Sequence, residues 1–199
     1  MYEERLRVHL IDIPGFDDTY RSDVEVSREV AFWLSATYEK NIQLSGIIYL
    51  HRISDARIGG SARRNLVMFQ KLCGPGYLPN IILATTFWDI IEPGIGAARE
   101  RELVEREDFW SFMHSRGSAV LRHSGSRQLA MAILERPLRS RRPLTLQIQR
   151  EINIEGLSLV ETEAGRQVNE DLSRAKKEHG RELKDLREAM EDALKGLYL

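Results

Sequence analysis

The sequence predicts a doubly wound α/β domain with a mainly parallel sheet, followed by a charged helical extension. Two observations support this fold class. Short apolar and β-branched segments alternate four times with segments of helical periodicity over residues 1–135. The connections between these segments are short, which is typical of parallel strands joined by helical crossovers. Sheets of this kind bind ligands at the carboxyl ends of their strands, so a site is expected there.

The strands are predicted from runs of apolar and β-branched residues, and the helices from apolar residues at three- and four-residue steps. The first strand ends at Pro14-Gly15, the second helix at the chain breaker Cys73–Gly76, and the third helix at Gly117. In chain order, strands and helices are Leu6–Ile13, Val26–Lys40, Leu44–Leu50, Ala62–Leu72, Ile81–Thr86, Ala97–Arg116, Ala119–His123 and Arg127–Leu134.

The composition changes after the fourth helix. Residues 136–149 form an Arg-rich linker, because Arg136–Arg142 contains four arginines and no acidic residue. Residues 150–199 are predicted as a charged amphipathic helix, since apolar residues recur there at three- and four-residue steps. Such a helix packs on its own domain, pairs with a second copy or binds a partner protein, and the sequence leaves these alternatives open.

Overall composition excludes several classes of protein. With 29 Lys and Arg against 30 Asp and Glu, the chain is not a globally basic nucleic-acid binder. Its 42% hydrophobic residues exclude a wholly disordered chain, and its apolar runs are too short to span a bilayer. The single cysteine, Cys73, excludes an intramolecular disulfide framework and fits a reducing compartment. No signal peptide is recognised at Met1–Ile13, so the expected location is cytoplasmic.

The first predicted strand ends in Asp12-Ile13-Pro14-Gly15. A carboxylate at this place can hold Mg²⁺, usually through water, because that cation keeps much of its hydration shell. The Gly15 amide can approach a terminal phosphate closely, because no side chain projects from its Cα. The same four residues also make an ordinary turn after a strand, and that alternative stays open.

Two further strand ends carry candidate ligand groups. After the third strand, Asp89 can accept hydrogen bonds from the ring N–H and the exocyclic amine of guanine, and Phe87 can stack on the base. After the fourth strand, the small residues Ser124 and Gly125 can present backbone N–H groups to the guanine oxygen. Each segment has a structural alternative. Phe87 and Trp88 could be core residues with Asp89 as a helix cap, and the segment His123–Ser126 could be a plain turn and helix cap.

These loops occur in the order found in G-domains, each after a predicted strand. The segments LIDIPGFDD, SGIIYLHRISDARIGGSARRNLVMFQKLCG, ILATTFWD and the helical end resemble uncharacterised fungal G-domain proteins, which are similar to septin and GIMAP-type GTPases. The resemblance covers nearly the whole chain. It implies a P-loop NTPase fold that binds GTP or GDP with Mg²⁺. Asp12 would lie at the metal, Gly15 at the terminal phosphate, and Thr86, Asp89, Ser124 and Gly125 at guanine, with Thr86 in the place of the usual asparagine.

The phosphate-binding motif G-x-x-x-x-G-K-[ST] of this class does not occur in the sequence, because none of its lysines follows a glycine. Phe16 follows Gly15 where many small GTPases have a water-orienting glutamine, so no catalytic residue is assigned. We expect that the sequence is a truncated gene model or a fragment. The alternatives are a natural protein without a P-loop and a split product that is completed by a partner chain. Two functions remain in competition: a truncated or degenerate GTP-binding domain, and a non-catalytic pseudo-G-domain that binds partners through its C-terminal helix.

Overall fold

The structure is a computed structural model that describes residues 7–13, 23–55, 59–139 and 145–197. Within these residues, three strands alternate with α-helices. Three 3₁₀ turns lie between these elements, at Leu78–Asn80, Trp88–Ile90 and Leu159–Glu161. The elements are α1 (Asp23–Glu39), β1 (Ile47–Arg52), α2 (Gly60–Cys73), β2 (Ile81–Thr86), α3 (Pro93–Glu105), α4 (Ser111–Ser115), β3 (Ala119–Arg122), α5 (Arg127–Arg139), α6 (Gln147–Asn153) and α7 (Glu163–Leu197).

The three strands form one parallel sheet in the order β1-β2-β3. β2 is central, with Ile47 of β1 opposite Ile81 and Ala119 of β3 opposite Ile82. Residues 81–85 of this strand are buried, as expected for a strand with neighbours on both sides and helices on both faces. The prediction of an α/β domain with a parallel sheet is therefore confirmed at the level of fold class.

The two faces of the sheet are covered unequally. On one face, Tyr49, Leu83 and Val120 pack into the main core with side chains from α1, α2, α3, α4, α6 and α7. On the other face, Ile82 and Ala84 pack mainly against Ile133 of α5. Because successive side chains of a strand point to opposite faces, each strand contributes to both layers.

The predicted strand Leu6–Ile13 is wrong over its described part, residues 7–13. These residues have no regular structure, and Val8, Leu10 and Ile11 are exposed. A strand is stable only when its backbone N–H and C=O groups pair with a neighbour. No described strand of the sheet pairs with this segment, so apolar content alone does not place it in the sheet.

The predicted helix Ala97–Arg116 is also wrong, because it is two helices, α3 and α4. The backbone becomes extended at Arg106, whose guanidinium binds the carboxylates of both Glu102 and Asp108. The turn that follows buries the adjacent aromatic residues Phe109 and Trp110. On one straight helix these neighbours would point about 100° apart, so breaking the helix allows both rings to enter the core.

The C-terminal third differs in detail from its prediction. α5 continues into the predicted linker as far as Arg139, residues 140–144 lie outside the described part, and α6 begins at Gln147. The helix predicted over residues 150–199 begins only at Glu163. The described part of the chain contains no helix with the length and apolar character needed to cross a membrane.

Candidate functional site at the carboxyl end of the sheet

The carboxyl ends of β2 and β3 lie side by side. Thr85 is opposite Arg122 in the parallel register, and the His123 N–H donates to the Thr85 carbonyl over 2.8 Å. The turn after β2 and the loop after β3 therefore leave the sheet at the same edge. This is where parallel α/β sheets place their ligands.

The turn after β2 is anchored by Trp88. Its indole Nε1–H donates to the buried Thr85 hydroxyl over 2.9 Å. Helix α3 packs against the ring at Gly96, where a Cβ atom would lie only 2.7 Å from Trp88 Cζ3. The preceding residue, Phe87, adopts the left-handed backbone conformation with φ of 61°, which is uncommon for a residue other than glycine. Trp88 thus points inward, while its neighbours Phe87 and Asp89 are exposed.

A charged cluster covers the outer side of this anchor. The Arg122 guanidinium lies 4.2 Å from the centre of the Trp88 ring and forms an ion pair with Glu100 of α3. Arg122 Nε donates to both Glu100 carboxylate oxygens, at 3.0 and 2.9 Å. The arginine therefore joins β3, α3 and the turn after β2, which restricts how the turn can move.

The exposed groups of the turn can contact a ligand. Phe87 is 44% exposed, and the Arg52 guanidinium at the end of β1 lies 4.6 Å from its ring centre. Asp89 is exposed, and its carboxylate takes part in no hydrogen bond or ion pair with the described residues. A planar stacking surface and a free carboxylate therefore lie within one short turn.

The first residues of the loop after β3, Ser124 and Gly125, do not form the cap of helix α5. Ser126, not Ser124, caps α5, because its hydroxyl accepts from the Leu129 N–H over 3.2 Å. Ser124 and Gly125 are exposed, and Gly125 has φ of 85°. An added Cβ at Gly125 would meet no atom within 4 Å, so the backbone conformation, and not space, favours glycine there.

The predicted guanine-site residues follow two neighbouring strands. Asp89 lies on the turn after β2, and Ser124 and Gly125 lie on the loop after β3, so these three are at the same edge of the sheet. The Thr86 hydroxyl instead donates to the His51 carbonyl over 3.3 Å, so this side chain ties β2 to β1. The Thr86 side chain therefore joins the carboxyl ends of β1 and β2 and does not face the loop after β3.

The predicted metal site is not supported by the arrangement of the acids. Asp12 is exposed in an irregular segment and so does not lie at a strand end, and Gly15 lies outside the described residues. No group of three or more His, Cys, Asp or Glu side chains in the described ranges is placed to hold a metal ion. One exposed carboxylate does not fit a magnesium site by itself, since Mg²⁺ requires near-octahedral oxygen coordination.

Sequence reasoning missed Arg52, Glu100 and Arg122, which hold the candidate site together. Arg122 was detectable in principle, because it lies near the carboxyl end of the predicted strand Ala119–His123. The sequence around Glu100 does not predict its ion pair with Arg122, since that pair depends on how α3 packs against the sheet. Cys73 is buried and burial raises the pKa of its thiol, so it does not behave as an exposed nucleophile.

No protein-family model matches this chain, and no curated protein matches it. An exposed carboxylate beside an aromatic ring is complementary to a planar heterocycle that presents two adjacent N–H donors. The exposed residues Ser124 and Gly125 of the neighbouring loop carry backbone N–H groups, which are complementary to a carbonyl oxygen on the same heterocycle.

Proposed function

We propose that this edge of the sheet binds the guanine base of GTP or GDP. The observation that carries the proposal is the exposed Asp89 carboxylate, which is unengaged by described residues and lies on a turn held by the Trp88 anchor. This half-buried, hydrogen-bonded indole keeps the Asp89 carboxylate in place without using the acceptor oxygens of the carboxylate. Preorganisation of this kind reduces the entropy lost when a ligand binds.

Each group has a role in base recognition. Asp89 accepts from the guanine N1–H and from the exocyclic amine, while backbone N–H groups at Ser124 and Gly125 donate to the guanine oxygen. Phe87 stacks on the ring, and Arg52 already stacks against Phe87. Adenine is disfavoured, because it presents an unprotonated ring nitrogen to Asp89 and an amine to the donor loop.

The proposed site recognises the base more than the phosphates. The phosphate-binding lysine motif does not occur in the sequence, and the carboxylate predicted for Mg²⁺ does not fit a metal site. Guanosine is therefore expected to bind about as tightly as GDP or GTP. No residue is assigned to nucleotide hydrolysis.

The test is a calorimetric titration with guanosine, GTP and ATP, combined with Asp89→Asn. Guanosine is expected to bind with a Kd on the order of 0.1–1 mM, because a few hydrogen bonds and one stack support no more. Asp89→Asn should weaken guanosine binding by roughly tenfold or more and improve xanthosine binding, since the amide can donate to the xanthine C2 carbonyl. Asp185→Asn, which removes the same charge on α7, should change neither. Equal binding of ATP and GTP, or a normal guanosine affinity in Asp89→Asn, would refute the proposal.

A further inference from the structure

The contacts that the structure describes between helix α7 and its own domain lie near the start of the helix. Ala164 is buried, and Lys71 of α2 donates to the Gln167 side chain over 2.6 Å. Beyond Asp171, the apolar side chains whose surroundings are described are all substantially exposed. These are Leu172 at 40%, Leu183 at 44%, Leu186 at 60% and Met190 at 64%. From Leu172 to Leu197 the helix extends roughly 39 Å at 1.5 Å per residue.

The apolar stripe has a regular spacing that repeats every eleven residues. Steps of three, four and four residues connect positions 172, 175, 179, 183, 186, 190, 194 and 197, where His179 is the one polar residue. An eleven-residue repeat corresponds to about 3.67 residues per turn, so the stripe runs nearly parallel to the axis of a straight helix. Two such helices can pack along the whole stripe without the left-handed supercoil of a heptad repeat.

The two edges of the stripe carry opposite charge over residues 171–190. At 100° per residue, one edge is acidic and the other is basic. The acidic edge contains Asp171, Glu178 and Glu182, and the basic edge contains Lys176, Lys184 and Arg187. Two ion pairs described in this region are Arg174–Asp171 and Lys184–Glu188, in which Arg174 and Glu188 lie on the opposite face of the helix. These two pairs stabilise the helix and do not cover the exposed apolar residues Leu172, Leu183, Leu186 and Met190.

This charge arrangement selects the occupant and its direction. In a parallel pair, each edge of one helix faces the opposite edge of the other, whereas in an antiparallel pair equal edges face each other. A second copy of α7 therefore meets complementary charge only in the parallel, in-register arrangement. Glu182 of one copy then lies beside Arg187 of the second copy, five residues further along, and Asp171 and Lys176 repeat the relation eleven residues earlier.

We propose that the protein self-associates as a parallel two-helix pair through the stripe on α7. The symmetry is a twofold axis along the helix pair, so each stripe residue contacts its own equivalent. The pairing does not depend on nucleotide, because the stripe and the carboxyl edge of the sheet share no residue.

A cysteine cross-linking experiment on the full chain tests direction and register. The only native cysteine, Cys73, is buried and gives little background. Met190→Cys should form a covalent dimer on mild oxidation, since position 190 lies beside its own equivalent in a parallel, in-register pair, whereas in an antiparallel pair that overlaps over the whole stripe the two copies are about 16 Å apart along the axis. Arg181→Cys, on the opposite face, should remain monomeric on denaturing gels. Equal cross-linking of both variants would contradict the proposal.

Charge reversal tests the same arrangement without altering the apolar stripe. Sedimentation of the wild-type chain between about 1 and 100 µM should show a monomer–dimer equilibrium. Glu182→Lys should weaken the dimer by about tenfold, because it places two Lys–Arg repulsions across the twofold axis. Adding Arg187→Glu should restore the dimer, and Glu170→Lys, the same charge change on the opposite face, should have no effect. A monomer at all concentrations, or a dimer strengthened by Glu182→Lys, would overturn the proposal.

Discussion

Replacing Thr85 by valine tests whether the anchor below the turn after β2 holds the candidate site. Thr85 is fully buried, and its hydroxyl accepts from the Trp88 indole over 2.9 Å. The same hydroxyl lies 3.4 Å from a Glu100 carboxylate oxygen and 3.5 Å from the Leu121 carbonyl. Valine has nearly the same shape, so the substitution removes the hydrogen bonds and leaves the packing intact.

The expected loss of stability follows from the Trp88 N–H. Leaving a half-buried donor without an acceptor costs about 1–3 kcal/mol, while the two long contacts to Glu100 and Leu121 contribute little. The added methyl group returns about 0.8 kcal/mol through burial of apolar surface. The free energy of unfolding should therefore fall by about 0.2–2 kcal/mol, which lowers Tm by roughly 0.5–8 °C in a chain of this length.

The assay has two measurements and a matched control. Urea denaturation followed by tryptophan fluorescence gives the free energy of unfolding, and calorimetric titration gives the guanosine affinity. Thr37→Val is the control, because Thr37 is also buried but its hydroxyl donates to the Leu34 carbonyl within α1. Both variants should be destabilised, and only Thr85→Val should also lose guanosine affinity. An unchanged stability in Thr85→Val, or an equal loss of affinity in both variants, would refute the role of the anchor.

Two further predictions concern α7 and the pH dependence of stability. Gly165→Ala should destabilise the protein by about 1–3 kcal/mol, since the new Cβ would collide with the rigid Leu159 carbonyl. Gly180→Ala should stabilise α7 by about 1 kcal/mol, because alanine has the higher helix propensity and its Cβ would meet no neighbouring atom of the described residues within 4 Å. Thermal melts by circular dichroism distinguish the two variants. The Gly94 and Ile95 N–H groups hold the pKa of Glu92 below its ordinary value of 4.5, so its contribution to stability is complete above that pH and is lost as the pH falls further. Stability curves of wild type and Glu92→Gln should therefore converge as the pH falls below 4.5, and a difference that stays constant at acidic pH would contradict this cap.

Most individual elements were predictable from local pattern. β2 has the predicted bounds Ile81–Thr86, and α1, α2, β1 and β3 lie close to their predicted positions. These segments are correctly recognised because their apolar periodicity matches the secondary structure that buries it. The predictions of secondary structure are wrong where the conformation of a segment depends on pairing with a segment that is distant in the sequence. Residues 7–13 are as apolar as a strand, but no described strand pairs with them.

The candidate site was predictable in its position and only partly in its groups. The rule that ligands bind at strand carboxyl ends pointed to Asp89, Ser124 and Gly125, and the three lie on neighbouring loops. Thr86 was expected to face the ligand, but its hydroxyl bonds to His51 of β1. Such a choice of partner depends on strand register, which one strand does not encode by itself.

The sequence by itself determined the α/β class, the elements with strong periodicity and the amphipathic, charge-sorted stripe of α7, because each of these depends on residues close together in the chain. Only the tertiary structure decided that Trp88 turns inward while Asp89 stays exposed, since this requires Thr85, Glu100 and Arg122 to meet. It also decided where α7 leaves the domain. Both outcomes depend on contacts between distant segments, and local propensity does not specify them.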